Sequence, residues 1–454
     1  MQARLSLCLG LALTALPLVS ASAQSEPTLK ILASFTNFNR IPGNSTEGSS
    51  PNGVAFDGSG NLFGVTILGR NDVRGSDTGA GGGTVFEISR GSTGDYQPMK
   101  TLDVFTGGNG AAAFGTLTFD SGGNLYGATE QGGANNLGTV YEIAQGTTAI
   151  KTLLSFDGAG AAAPLTGVLV DGSGNLYGSA SRSGPGSAGT YGAIYEIAKG
   201  AHTATNLVAF NTANGSSATS LFFDGSGNIV GTASDGYPSY AGTIFEFAKQ
   251  SVGVYAPFET LATLPKTNGG YPSGRNPTGV TFDRQGNLFG LAQGGGEFGG
   301  GTIFEIVKGS GVVSTIASFS LDNSVYPNGN TPGNMLTLDS AGNFFGVTRE
   351  GGANGVGTVF ELAQGSTTIK TIYSFDNVLA AEPDSSLIID AAGNIFGTTI
   401  NGGNGGGTVF ELLGAAAPSA NPVPEASTTV SLGLLLALGL GGVVVARRRR
   451  QSAL

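Results

Sequence analysis

Two short patterns recur in step along the chain, seven times each, and they restrict its fold more than any other feature. The first is Asp-x-x-Gly-Asn followed by an apolar pair and Gly, beginning at Asp57, Asp120, Asp171, Asp224, Asp283, Asp339 and Asp390. The second is Gly-Thr/Ala-Val/Ile-Phe/Tyr-Glu, ending at Glu87, Glu142, Glu196, Glu246, Glu305, Glu361 and Glu411. A third, weaker pattern is an apolar run closing on Phe35, Phe105, Phe156, Phe210, Leu264, Phe319 and Phe375. A chain that repeats one supersecondary unit at this period builds an array, because a single unit cannot bury its own apolar faces.

Each unit reads as four short strands. In the unit around Asp171 they are 165–170, 175–180, 193–198 and 205–210, apolar or β-branched and bounded by Gly, Ser or Asn. No 3.6-residue periodicity runs through the array. Strands apolar on both faces need cover on both, which blades stacked radially around an axis provide. The expectation is an all-β, seven-bladed propeller of four-stranded blades over residues 29–414. A β-helix is the rival, with usually shorter coils and a more regular repeat. The phase of the array predicts how the ring closes. The chain opens on an outer-type strand, 29–35, and ends on a middle-type strand, 408–413, so the first strand should complete the seventh blade and remove the open edge.

Composition narrows the chemistry. The 454 residues include one His (His202), one Cys (Cys8) and no Trp, and only 11% are charged. No internal disulfide can form, a His/Cys zinc site cannot be assembled, and triad catalysis would have to use His202. That residue sits in a polar connection and reads as a solvated loop residue. A net charge of −10 repels a phosphate backbone, so no nucleic-acid partner is expected. Disorder is disfavoured by 40% hydrophobic residues and 26 Phe.

The two ends read as addresses. Arg4, an apolar run from Leu5 to Val19, and Ala21-Ser22-Ala23 make a secretory signal peptide over residues 1–23, cut between Ala23 and Gln24 by signal peptidase. At the other end a linker, 415–422, leads to Val423-Pro424-Glu425. An uncharged span, 426–446, follows, and then Arg447, Arg448, Arg449 and Arg450. Twenty-one residues at ~1.5 Å each span a hydrocarbon core as a transmembrane helix, and clustered Arg stays cytoplasmic. The order Pro-Glu, apolar span, Arg cluster resembles the PEP-CTERM sorting signal of Gram-negative bacteria, with Ala426 where that signal usually has a second Pro. The resemblance implies processing by an exosortase-type enzyme at the inner membrane.

The seven Asp-x-x-Gly-Asn and seven Gly-Thr-Val-Phe-Glu segments resemble the Gloeo/Verruco tandem repeat of choice-of-anchor proteins. That resemblance implies a surface protein, first membrane-anchored with the propeller outside the cytoplasm and then at the cell surface or extracellular. It carries no catalytic residues or cofactor.

Asp-x-x-Gly-Asn fails the EF-hand pattern, since counting from Asp57 the sixth and twelfth positions hold Leu62 and Leu68. It reads as turn chemistry, and no metal is expected. The repeated Glu is expected to accept hydrogen bonds from backbone N–H groups of a neighbouring Gly-rich loop. The variable loops share the rim opposite the turns and carry the candidate binding residues Arg70, Asp72, Arg74, Asp235, Tyr237, Tyr240, Glu297, Arg349 and Glu350. Three functions fit: a non-catalytic surface or matrix protein, a propeller binding glycan or exopolysaccharide, and a hydrolase or lyase working with carboxylates such as Asp72 or Glu297. The first is expected; no motif pairs the carboxylates for the third.

Overall fold

The computed structural model describes residues 27–36, 47–69, 82–182, 191–211, 214–234, 242–251, 253–267, 270–322 and 328–417. Seven sheets follow one another around a ring, each with the same order of strands. Blade 1 runs from its inner strand Ser49–Phe56 through Leu62–Leu68 and Thr84–Ile88 to its outer strand Lys100–Val104. Blades 2 to 6 begin at Ala111, Ala162, Ser216, Arg275 and Asn330 and end at Ser155, Ala209, Thr263, Ser320 and Ser374. Blade 7 takes Ala381–Pro383 with Ile388–Ile389, Ile395–Asn401 and Gly405–Leu413, and its outer strand is Thr28–Thr36 from the start of the chain. That strand pairs antiparallel with the last one, Lys30 opposite Glu411 and Ser34 opposite Thr408. No helix occurs among the described residues. The signal peptide, the Pro-Glu segment and the apolar span all lie outside them.

The third strand of every blade is the heart of its packing. In Thr-Val-Phe-Glu-Ile of blade 1 all but the Glu are buried, and the same burial pattern recurs in the third strands of blades 2 to 6. Its aromatic ring (Phe86, Tyr141, Tyr195, Phe245, Phe304, Phe360, Phe410) is wholly buried. On one side the ring lies against the Gly that follows the apolar pair, for example Phe304 over Gly290. On the other it meets the Phe closing the outer strand of the preceding blade. Phe35–Phe86, Phe105–Tyr141, Phe156–Tyr195, Phe319–Phe360 and Phe375–Phe410 have centroids 5.1–5.3 Å apart, tilted or edge to face. Such contacts add roughly 0.5–1.5 kcal/mol each beyond burial. The third sequence pattern is thus the joint between blades, and Leu264 is the one place where an aliphatic residue serves.

Tyr141 and Tyr195 occupy a ring position that holds Phe in the other blades, and their buried hydroxyls find no hydrogen-bond partner. Burial raises both phenol pKa values well above the ordinary range. An unpaired buried hydroxyl costs roughly 1–3 kcal/mol. Tyr141→Phe is therefore expected to raise stability by about 1 kcal/mol in urea denaturation, and a loss of that size would show that the hydroxyl is satisfied.

The inner strands share a backbone device with no sequence signature. Their second residue takes a left-handed conformation in every blade: Ser50, Ala112, Ala163, Ser217, Asn276, Thr331 and Glu382, with φ between 41° and 56°. This costs roughly 1–2 kcal/mol for an L-residue. The twist turns an N–H across the seam: Ala112 donates to Gly82 O, Ala163 to Leu137 O, Ser217 to Tyr191 O and Glu382 to Val356 O, each in the preceding blade. Further bonds join neighbouring inner strands, Gly115 N to Asn52 Oδ1 and Thr278 Oγ1 to Gly333 O. Ser220 of blade 4 donates to Met335 Sδ of blade 6 at 3.8 Å, so side chains meet at the axis and skip blade 5.

Candidate functional site

One rim carries the seven tight turns. In each, one Asp oxygen accepts two backbone N–H groups and the other accepts the Asn side-chain amide; for Asp57 these come from Ser59, Asn61 and Asn61 Nδ2 at 2.8–2.9 Å. Gly60 closes the turn on Asp57 O with φ +81°, a conformation that Gly adopts without strain. The Asn carbonyl then accepts the N–H of a residue just after the third strand: Arg90, Gln145, Lys199, Lys249, Lys308, Gln364 and Gly414. The motif thus ties two connections of one blade together, and both Asp oxygens are engaged within the turn.

Asp120 shows the electrostatic result. Burial raises its pKa, but hydrogen bonds from Asn124, Tyr126 and Gly122 outweigh it and hold the carboxyl below its usual value. A carboxyl with a lowered folded pKa adds stability above the unfolded range near ~4, and loses it as pH falls through the folded value. Asp120→Ala is expected to cost about 1–2 kcal/mol at pH 7, from lost hydrogen bonds. Millimolar calcium is expected to leave the melting temperature of the parent protein unchanged; a marked rise abolished by Asp120→Ala would establish a calcium site.

The repeated Glu residues correct the expectation from sequence. Among the described residues, loop N–H groups do not reach them. The side chain projects from the blade face and meets its lateral neighbours instead. Glu142 accepts from Lys151 at 3.0 Å and Tyr126 at 3.4 Å, and Glu196 from Tyr177 at 3.0 Å. Glu246 accepts from Asn228, Glu361 from Lys370 and Glu87 from Ser89, while Glu411 lies 3.7 Å from Lys30. The loop N–H groups find carbonyls, as Gly138 N does at Gly132 O. Burial raises the pKa of Glu411 and Glu246; Lys30 counters it at Glu411 and Asn228 at Glu246. Glu305 alone of the seven has no partner among the described residues; Ser314 and Phe289 flank it, where every other blade but the fourth offers Lys or Tyr, and in the fourth Asn228 serves.

On the opposite rim, Arg70, Asp72, Arg74, Asp235, Tyr237 and Tyr240 lie outside the described residues. The structure places the other three apart. Arg349, at the end of a second strand, sits 3.9 Å from Glu382 and 4.0 Å from Asp384 on the inner strand of blade 7. Burial raises the Asp384 pKa, Arg349 lowers it and Glu382 adds to the rise. Glu350 is exposed beside Asn330 in the ladder. Glu297 is exposed at the mouth of an open cleft of about 800 Å³ between blades 5 and 6, with Tyr271, Phe298, Ser318, Asn328 and Thr368 in its walls. Lys266 and Arg275 lie 5.4 and 5.5 Å from the Tyr271 ring centroid. Sequence reading missed Tyr271, in a connection between blades, and the Glu382–Asp384 pair at the inner strand of blade 7; no motif marks either. His202 is exposed, with Nδ1 3.3 Å from Leu153 O.

Among solved structures, the chain is similar to a puromycin hydrolase, 14% identical with a TM-score of 0.52, over 84% of this chain and 55% of that one. It is similar to a puromycin-hydrolyzing peptidase of Mycobacterium tuberculosis, 12% identical with a TM-score of 0.52, over 82% and 54%. The extracellular domain of a B. thetaiotaomicron hybrid two component system gives 12% and 0.51, over 81% and 39%. The chain therefore spans about two fifths to just over half of these three chains, and the likeness is one of fold. No curated protein matches it. The Gloeobacter/Verrucomicrobia repeat matches over residues 25–190, 73–276 and 276–419. Those three regions take in all seven blades, and the chain belongs to the Gloeobacter/Verrucomicrobia repeat family.

Proposed function

We propose that this is an exported, non-catalytic propeller displayed at the cell surface or in the extracellular matrix. It is held first by its C-terminal span and then released or sorted by an exosortase-type enzyme acting near Val423-Pro424-Glu425. The observation that carries the reading is the order of Pro-Glu, an uncharged 21-residue span and four Arg at the C-terminus, behind an N-terminal export signal. The fold supports it by supplying a rigid body with both chain ends in one blade. Ala417 N donates to Asp339 Oδ2, so the described chain ends on the turn rim, opposite the loop rim. Mass spectrometry of the mature protein from an exosortase-bearing host tests it. A mass ending near residue 425, lost in a Pro424→Ala/Glu425→Ala double variant, is expected; a chain intact to Leu454 leaves a plain membrane anchor.

A second reading, glycan binding, is favoured by the Tyr271 and Glu297 cleft, which offers an aromatic face beside an exposed carboxylate. A polysaccharide array with a hydrolysis readout separates binding from turnover, and cleavage of any glycan would refute the non-catalytic reading.

A further inference from the structure

At two seams of the ring, a tyrosine from one blade plugs the groove beside the preceding blade on the turn rim. In blade 1 the connection between third and outer strands, 89–99, is eleven residues long. It lays Tyr96 on Phe396 of blade 7, with centroids 5.5 Å apart, and Tyr96 donates to Gly60 O. In blade 4 the connection, 248–258, is again eleven residues, and it lays Tyr255 on Tyr177 of blade 3 at 5.3 Å. The two connections share Tyr-x-Pro followed by Met99 or Phe258. Blade 6 has only six residues, 363–368, in this place and no aromatic among them.

The groove that blade 6 leaves beside blade 5 is a cavity of about 340 Å³. Phe289 stands where Phe396 and Tyr177 receive their tyrosines, and Phe344 and Leu338 complete the apolar wall. Phe289 and Phe344 lie 4.4 Å apart, centroid to centroid. Glu305, the repeat glutamate without a partner among the described residues, faces the same cavity. In blades 2 and 3 the corresponding glutamate accepts a tyrosine hydroxyl. A socket with an apolar wall, a polar edge that includes Arg284 and Gln364, and one free carboxylate acceptor fits a flat ring that carries a hydroxyl donor.

We propose that the cavity between blades 5 and 6 binds a phenol ring, as presented by a tyrosine side chain of another polypeptide, with its hydroxyl donating to Glu305. The site is independent of export and anchoring. It repeats from outside the ring packing that Tyr96 and Tyr255 make at two other seams, and adds the tyrosine-to-glutamate bond seen within blades 2 and 3.

The test is a ligand-observed NMR titration of p-cresol into the purified full chain. Saturable binding is expected. Toluene, which lacks the hydroxyl, should bind about tenfold more weakly, the scale of one hydrogen bond to a charged group. Glu305→Gln should weaken p-cresol by a similar factor, and Glu361→Gln, in the next blade, should not. Replacing residues 363–368 with the sequence of 89–99 should abolish binding while the melting temperature is kept, because the chain then fills its own socket. Absence of saturation, equal affinity for toluene, an unaffected Glu305→Gln variant, or displacement of p-cresol by methyl glucoside would each overturn the proposal; the last would identify a sugar site.

Discussion

Removing residues 24–36 is expected to abolish the single cooperative unfolding transition of the propeller. The deleted strand supplies the outer edge of blade 7, and without it Gly405–Leu413 becomes that blade's bare edge. It also supplies Phe35, fully buried and 5.3 Å from Phe86, which joins blade 7 to blade 1. Calorimetry should show a broad or absent transition in place of one peak. Phe35→Ala gives the graded version, a loss of about 3–5 kcal/mol with the strand still present. A deletion variant that melts within a few degrees of the parent would mean that the six remaining complete blades hold the ring by themselves.

The second large effect is expected at a glycine. Gly290 lies under the buried Phe304 ring, and a Cβ there would collide with the ring and with Val280 Cγ1. Gly290→Ala should cost about 1–3 kcal/mol, the usual range for overpacking a dense core. Gly108 is the control: a Cβ there meets nothing within 4 Å, and its substitution should stay within about 0.5 kcal/mol of zero. Equal costs at the two positions, measured by urea denaturation, would show that the ring does not rest on the glycine. The same stacking recurs at Gly64, Gly231, Gly346 and Gly397, so the motif glycine is a packing residue wherever the third strand carries Phe.

These predictions draw on different amounts of sequence. The blade count and the closing strand were legible because turn, third strand and terminal Phe each leave a residue pattern at fixed phase. The Asp-x-x-Gly-Asn turn was legible for the same reason: its hydrogen bonds are local, Asp57 to Asn61. The partners of the repeated Glu were not, because they are set by the facing residues in the ladder. Those change from blade to blade, as from Lys151 to Ser314. The seven left-handed residues were also hidden, since Ser, Ala, Asn, Thr and Glu at those positions have nothing in common. At Ala112, Ala163, Ser217 and Glu382 the conformation is fixed by a carbonyl in the preceding blade. Glu297 and Arg349 share the loop rim as sequence placed them, yet the structure spends Arg349 on Glu382 and Asp384 and leaves Glu297 at a cleft mouth.

The pairing of first and last strands has a mechanical side. Thr28 lies opposite Leu413, and the chain passes from that end to Ala417 on the turn rim. A cell-surface protein tugged by flow against a C-terminal tether would feel the load at Leu413, along the strand Gly405–Leu413. That strand is flanked on both sides by antiparallel neighbours, 395–401 and 28–36. Pulled lengthwise, the bonds on both flanks bear the force together in shear. A terminal outer strand in the same place would peel away one bond at a time. On the anchoring proposed above, lending the first strand to the last blade would put the tether on the interior of a sheet, where resistance to forced unfolding is a matter of rate rather than equilibrium.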